Sequence, residues 1–253
     1  MNTNTTKAPG QENSESDEVK EVEIKVTIRE NQELLATRSL NLSEEKSQRR
    51  EIYFFDTPSL ALFEAGIILR ARIIEDDPDN STVKIRPIDP SRIAPAWKHM
   101  DEFKLEADWV GERKVCSASL DARQKSGEIE EVAAGRRELR KLFSSEQERF
   151  LTAYTDTITD FDSLVVLGPI EALRWKNQYS GIDHEVCIEE WRLPATGTDL
   201  IEVSIKVPTQ SAMQAQEDFQ NWLKSRKLYS EGEQETKTRV ALTELARLVH
   251  QSS

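Results

Sequence analysis

Hydrophobic and polar residues alternate one by one along several short stretches of this chain. In EVEIKV, residues 21 to 26, Val22, Ile24 and Val26 fall on one side of an extended backbone and Glu21, Glu23 and Lys25 on the other. The design recurs. AGIILRARII sets Arg70 and Arg72 against Ile67, Leu69, Ala71 and Ile73, and STVKIRP sets Lys84 and Arg86 against Val83 and Ile85. DEFKLEADW sets Glu102, Lys104, Glu106 and Asp108 against Phe103, Leu105, Ala107 and Trp109. DLIEVSIKV sets Glu202, Ser204 and Lys206 against Ile201, Val203, Ile205 and Val207. IEALRWKN and HEVCIEEW read as further strands, the first with Arg174 and Lys176 on one face. The second puts either Glu185 and Glu189 or Glu190 and Arg192 on a face.

Helical spacing appears between these strands. FDTPSLALFEAG predicts a short helix with Asp56 or Thr57 as N-cap, Pro58 at its first position and Gly66 just past its end. SAMQAQEDFQNWLKSRKL places Phe219, Trp222 and Leu223 on one stripe, which predicts a helix docked on the sheet. Residues 127 to 155 hold two more, the second opened by a capping box of Ser145 and Glu148. ETKTRVALTELARLV closes the chain as a helix. Trp97, Trp109, Trp175 and Trp191 are expected between sheet and helices. Residues 1 to 18 read as a disordered polar tail. Residues 19 to 253 read as one domain with a helical insertion around 110 to 160 and a C-terminal helix.

Antiparallel strands with one apolar and one ionic face admit two arrangements. The sheet can lay its apolar face on helices and leave its charges in water, or it can close into a barrel with helices outside and charges lining the lumen. Composition does not choose between them, but it narrows the partners. A formal charge of -12 over 253 residues argues against general nucleic-acid or acidic-membrane binding, so any anion site is local. Cys116 and Cys187 have neither disulfide-framework nor zinc-site spacing, and a reducing cytoplasm is the default setting. No stretch approaches the roughly 20 apolar residues of a membrane-spanning helix.

The charges themselves are sorted by strand. Bases gather as Arg70, Arg72, Lys84 and Arg86, whose forks and ammonium points suit phosphate oxygens. Glu21, Glu23 and Glu202 offer hard oxygen ligands for Mg²⁺ or Mn²⁺, which bind polyphosphates through a few carboxylates and the phosphates themselves. Acid and base on one lumen suit a metal-bound polyphosphate.

EVEIKV matches the Glu-x-Glu-x-Lys signature of the CYTH, or triphosphate tunnel metalloenzyme, superfamily. YFFDTPSLALFEAGIILRARI resembles that family's next block, with Asp56, Thr57, Pro58, Leu62, Gly66, Leu69, Arg70 and Arg72 in step. VKIR resembles its Lys-x-Arg strand, and ETKTRVAL its late Ser-Lys stretch, which makes Lys237 the counterpart of a late basic residue. The resemblance implies an α+β fold: a closed eight-stranded antiparallel barrel whose tunnel binds a triphosphate, with helices packed outside. It implies that Glu21, Glu23 and Lys25 form the catalytic set and that Glu21, Glu23, Glu189 and Glu202 hold Mg²⁺ or Mn²⁺. Lys25, Arg70, Arg72, Lys84, Arg86, Arg174 and Lys237 are the implied phosphate contacts. The late strand carries Ser204 where the family pattern runs Glu-x-Glu, so two functions are carried forward. One is metal-dependent hydrolysis of tripolyphosphate or an organic triphosphate, with a nucleotidyl cyclase as its variant. The other is a non-catalytic tunnel that binds polyphosphate or a phosphorylated ligand.

Overall fold

A computed structural model describes residues 19–28, 32–157, 160–194, 197, 199–229 and 235–252. The polar tail expected over residues 1 to 18 lies outside them. The described strands are β1 (Glu21–Thr27), β2 (Gln48–Asp56), β3 (Ile67–Ile74), β4 (Asn80–Ile85), β5 (Phe103–Val110), β6 (Arg113–Arg123), β7 (Val165–Asn177), β8 (Val186–Arg192) and β9 (Asp199–Pro208). They close into a barrel in the order β1-β5-β6-β4-β3-β2-β7-β8-β9, and β9 returns to β1. The barrel is thus mixed and nine-stranded among the described residues, not the eight-stranded antiparallel one expected. The parallel pair is β1 with β5, which sets Glu23 opposite Asp108.

Seven helices accompany the strands among the described residues: α1 (Glu33–Ser39), α2 (Ala61–Glu64), α3 (Pro95–Lys98), α4 (Glu128–Ala133), α5 (Ser145–Tyr154), α6 (Ala212–Ser225) and α7 (Lys237–Ser252). No helix among the described residues is long and apolar enough to cross a membrane. Outside the barrel, Val22, Ile24, Val203 and Ile205 pack with Phe219, Trp222 and Leu223 of α6, the stripe that the spacing predicted. On another outer face, Leu69, Val83 and Leu120 pack with Ile129 and Val132 of α4 and Phe150 and Leu151 of α5. At about 1.5–3 kcal/mol per buried aliphatic or aromatic side chain, these two layers fix which strand face turns inward.

The third cluster lies inside. Ala241, Leu242 and Leu245 of α7 pack with Ile52, Phe54, Ala172, Trp191 and Leu200. Ile52 and Phe54 pair with Arg72 and Arg70 across β2 and β3, and Trp191 pairs with Ala172 and Leu200, so these side chains share the face of the charged ones. α7 therefore plugs one end of the barrel rather than packing outside it. Trp191 faces the lumen for the same reason and there packs between the barrel wall and α7, so it lies between sheet and helix as expected.

Two local expectations shift. The helix after Asp56 begins only at Ala61, with Leu60 at its N-cap in the left-handed conformation. Asp56 still serves it, because its carboxylate accepts the N–H groups of Thr57, Leu62 and Phe63 at 2.7–2.9 Å. Gly66 follows at φ +81, where a Cβ would stand 2.5 Å from the carbonyl oxygen of Arg86. That close approach, with the Arg86 N–H donating to the Gly66 carbonyl at 2.8 Å, sets the start of β3 against the end of β4 beside Arg86. The capping box of α5 is Ser144 with Gln147, not Ser145 with Glu148. Only the Gln147 amide can both accept and donate here: it takes the Ser81 hydroxyl and gives to the carbonyls of Ser81 and Leu120, while Glu148 pairs with Arg140. The insertion is tied to the barrel by that amide. Its N-terminal portion is not helical, since residues 113 to 123 form β6.

Candidate functional site in the barrel lumen

Because apolar side chains of β1, β3, β4, β5 and β9 are held outward by the helices, the alternate ionic ones turn inward. They enclose a cavity of about 100 Å³ lined by Lys25, Arg70, Lys84, Arg86, Glu189, Glu202 and Lys237, among others. That is several times the ~10–15 Å³ that one water requires.

At one pole Asp108 of β5 has a side chain that is 0% exposed, with Lys25 Nζ 2.8 Å, Arg86 Nη1 3.4 Å and Lys84 Nζ 3.5 Å from its oxygens. Neither oxygen receives an aligned hydrogen bond; the contacts are ionic. Burial alone would push the Asp108 carboxyl up, but Lys25, Lys84 and Arg86 overcome it and hold the group well below the usual carboxylate range. Burial likewise opposes the charge on Lys25, and Glu23, Asp108 and Glu202 reverse that, raising the amine well above its ordinary value. Lys25 also contacts Glu23 at 3.1 Å, and the Ser204 hydroxyl donates to the other Glu23 oxygen at 3.2 Å.

At the opposite pole Glu189 and Glu202 face each other across β8 and β9. The Lys237 ammonium lies 2.7 Å from Glu189 and 3.5 Å from Glu202, over the face of Trp191. Arg50 at 3.5 Å and Arg174 at 3.7 Å approach the second Glu189 oxygen. Burial would raise the Glu189 carboxyl, yet Lys237 first, then Arg50 and Arg174, hold it far down. Arg174 also donates to the Cys187 thiol at 3.2 Å.

Between the poles stand guanidinium groups with donors to spare. Arg70 and Arg72 form no ion pair among the described residues, although Arg72 Nε donates to Asn80 at 3.0 Å. Arg70 Nε and Arg86 Nη2 are buried with no hydrogen-bond partner. Burial, reinforced by Arg72, lowers the Arg70 guanidinium to about 9. It remains charged at neutral pH, and a desolvated cation with an unused donor is a strong claim on an anion.

The structure thus gathers Lys25, Arg70, Lys84, Arg86, Glu189, Glu202 and Lys237 around one cavity, with Glu23 beside it on Lys25 and Ser204 and Arg72 and Arg174 on the same inner wall. Glu21 is not gathered: it opens β1 with its side chain exposed. Asp108 and Arg50 are participants that the sequence reading gave no role. Asp108 carried a signal, as the next inward position after Glu106, but its partners depend on the unexpected β1–β5 pairing.

Among the described residues no three acidic, cysteine or histidine side chains converge as a cation cage. Glu23 is engaged by Lys25 and Ser204, and the Glu189–Glu202 pair holds Lys237. The donors present fit a cation that arrives on phosphate oxygens and borrows one or two carboxylates, not an ion that the protein alone retains.

No family model and no curated protein matches the chain. Solved structures do. A candidate adenylyl cyclase from Hippeastrum with a dominant triphosphatase activity superposes with a TM-score of 0.61 at 17% identity, over 88% of this chain and 95% of that one. A candidate adenylate cyclase from Bacillus halodurans superposes with a TM-score of 0.58 at 17% identity, over 88% of this chain and 97% of that one. The chain therefore has the triphosphate tunnel fold that its strand motifs resembled.

Proposed function

We propose that the lumen binds the phosphate chain of a triphosphate and hydrolyses its terminal anhydride. The observation that carries this is the pair of buried donors without partners, Arg70 Nε and Arg86 Nη2, beside a cavity whose other cations are also turned inward. Phosphate oxygens are the acceptors that such forks match, and a dry site makes each contact count for more than it would in water. The Hippeastrum protein's triphosphatase activity supports the same reading.

In this reading Arg70, Arg72 and Arg86 hold phosphate oxygens, while Lys25, Lys84, Arg174 and Lys237 supply positive charge against the negative charge that develops on the leaving group. Glu23 orients the attacking water and accepts its proton; the water oxygen bonds to the terminal phosphorus as the bridging P–O bond breaks, and pyrophosphate or the organic diphosphate departs. A divalent cation, Mg²⁺ or Mn²⁺, would share the charge of the phosphate oxygens and enter with them, meeting Glu23 and then Glu202 or Glu189. The ligand set expected for it included Glu21, which from its exposed place acts at most at the mouth.

A binder without turnover is the second reading, favoured by the lysines already placed on Glu23, Glu189 and Glu202. Phosphate release from tripolyphosphate, thiamine triphosphate and ATP, each with Mg²⁺ and with Mn²⁺, separates the two. Turnover of any of them removes the binder. Tight binding of tripolyphosphate without release removes the hydrolase.

A further inference from the structure

Glu189 and Glu202 stand directly opposite each other on adjacent strands, an arrangement of like charges that a sheet does not tolerate unless something neutralises it. That something is Lys237. It is the first residue of α7, where the helix dipole disfavours a cation, so its charge serves the place it reaches rather than the helix it begins. The residue is 3% exposed, and its ammonium touches both carboxylates and the face of Trp191. What holds it there is apolar: Ala241, Leu242 and Leu245 seat α7 in the barrel end. The other charges facing this pair come from β2, β7, β3 and β1, as Arg50, Arg174, Arg70, Arg72 and Lys25.

We infer that Lys237 is a tethered counter-ion that occupies the place of a divalent cation between Glu189 and Glu202, and so closes this pair to free metal while α7 is seated. The inference rests on the polyphosphate reading in one respect: phosphate oxygens entering beside Arg70 give the ammonium an alternative partner. Once Lys237 turns to them, the two carboxylates are released to the cation that the same phosphate chain carries. The tunnel then takes metal only together with polyphosphate, which spares its bases from neutralisation by a resident ion. A strand-borne lysine could neutralise the carboxylates equally well, but only one carried by a separate helix can be withdrawn without breaking the barrel.

The test is Mn²⁺ titration of the full chain, followed by the paramagnetic signal of the free ion, without polyphosphate. Wild type is expected to show no site that depends on Glu189 or Glu202. Lys237→Met, which keeps an apolar stem over Trp191 and removes the charge, is expected to gain a site about tenfold tighter or more, since an opposing charge has gone. Lys237→Arg should not gain it, and Lys237→Met combined with Glu189→Gln should lose it again. Lys237→Gln carries the same expectation wherever Lys237→Met does not fold. A wild-type Mn²⁺ site that Glu202→Gln abolishes overturns the inference, as does a folded Lys237→Met or Lys237→Gln with wild-type Mn²⁺ affinity. Calorimetry of wild type with tripolyphosphate, once in chelator and once with Mg²⁺, tests the polyphosphate reading separately: no binding in either condition sinks that reading whatever free Mn²⁺ does.

Discussion

The two poles of the lumen are charge mirror images built in different ways. Around Asp108, three cations share one buried carboxylate; around Lys237, two carboxylates share one ammonium. The first cluster draws every member from the barrel wall, with Lys25 on β1, Asp108 on β5, and Lys84 and Arg86 on and just after β4. The second needs α7 to complete it. The wall-built pole is fixed with the hydrogen-bonded ladder and cannot open without loss of strand pairing. On the inference drawn above, the plugged pole would change its counter-ion when Lys237 leaves the pair. In the proposed reading a polyphosphate would meet a basic wall at one side and a replaceable cation at the other, with the unpartnered Arg70 donor between them.

The sharpest break in this comparison comes from Asp108→Asn. Three buried cations lose their common anion, and removing one partner of a buried ionic group costs about 3–5 kcal/mol. Denaturant unfolding should register a loss of that order, and tripolyphosphate should restore more stability to the variant than it adds to wild type. An equal increment in both proteins would mean that the anion does not reach this pole.

Arg70→Ala has the opposite balance. Its guanidinium has no ion pair among the described residues and an unused buried donor, so its removal should leave stability unchanged or improved. Tripolyphosphate affinity should fall by about 2–5 kcal/mol, the usual loss for a desolvated charged contact. A change in dissociation constant under about threefold, well below 1 kcal/mol, would move the anion away from the space between the poles.

How much of this was legible in the sequence follows from the same wall. β1, β3, β4, β5 and β9 announced themselves because each has an apolar side under helices and an ionic side in the lumen. β2 did not, because both of its faces are apolar: Tyr53 and Phe55 meet the outer cluster and Ile52 and Phe54 meet α7. The lumen-side plug erased the alternation. β6 was hidden by small side chains, with Ser117 and Ser119 inward beside Ala118, too little contrast to read as a strand. Lys237 was visible only through a family resemblance, since nothing in the spacing of a C-terminal helix says that it enters a barrel. HEVCIEEW left its faces open, and only the register with β7 and β9 turns Glu189 and Trp191 inward and Glu190 outward to Arg192.

The acid and alkaline limbs distinguish the poles less strongly but with a definite sign. Asp108 and Glu189 both sit well below their unfolded values, so what they add to stability is complete above about pH 4–5 and is lost as pH falls toward their folded values. Lys25 sits well above its own, so its contribution is complete below about pH 10 and fades only as pH rises through the folded value. Stability measured by denaturant across pH should show no midpoint from these groups between about pH 5 and 10. Asp108→Asn should flatten part of the acid limb; an acid limb identical to that of wild type would show that the Asp108 cluster carries no linked protons.

The smallest effect is expected at the residue that most clearly signalled function in the sequence. Glu21 and Glu23 are neighbours on one face of β1, yet the strand begins at Glu21 and leaves it exposed, while Glu23 is half-buried between Lys25 and Ser204. Glu21→Gln should change stability by no more than about 0.5 kcal/mol, as surface substitutions do. Tripolyphosphate binding in chelator should stay within about threefold of wild type, below 1 kcal/mol. Glu23→Gln removes a carboxylate that Lys25 and the Ser204 hydroxyl both use, but Lys25 keeps Asp108 at 2.8 Å, so the fold should survive with a cost of about 1–3 kcal/mol. The freed ammonium should then bind tripolyphosphate more tightly without metal, while metal-dependent turnover falls. Side-by-side calorimetry and phosphate release on the two variants decide the matter. If Glu21→Gln proves as damaging to turnover as Glu23→Gln, the working site extends to the mouth of the barrel, and the comparison must include a third region that the closed lumen does not contain.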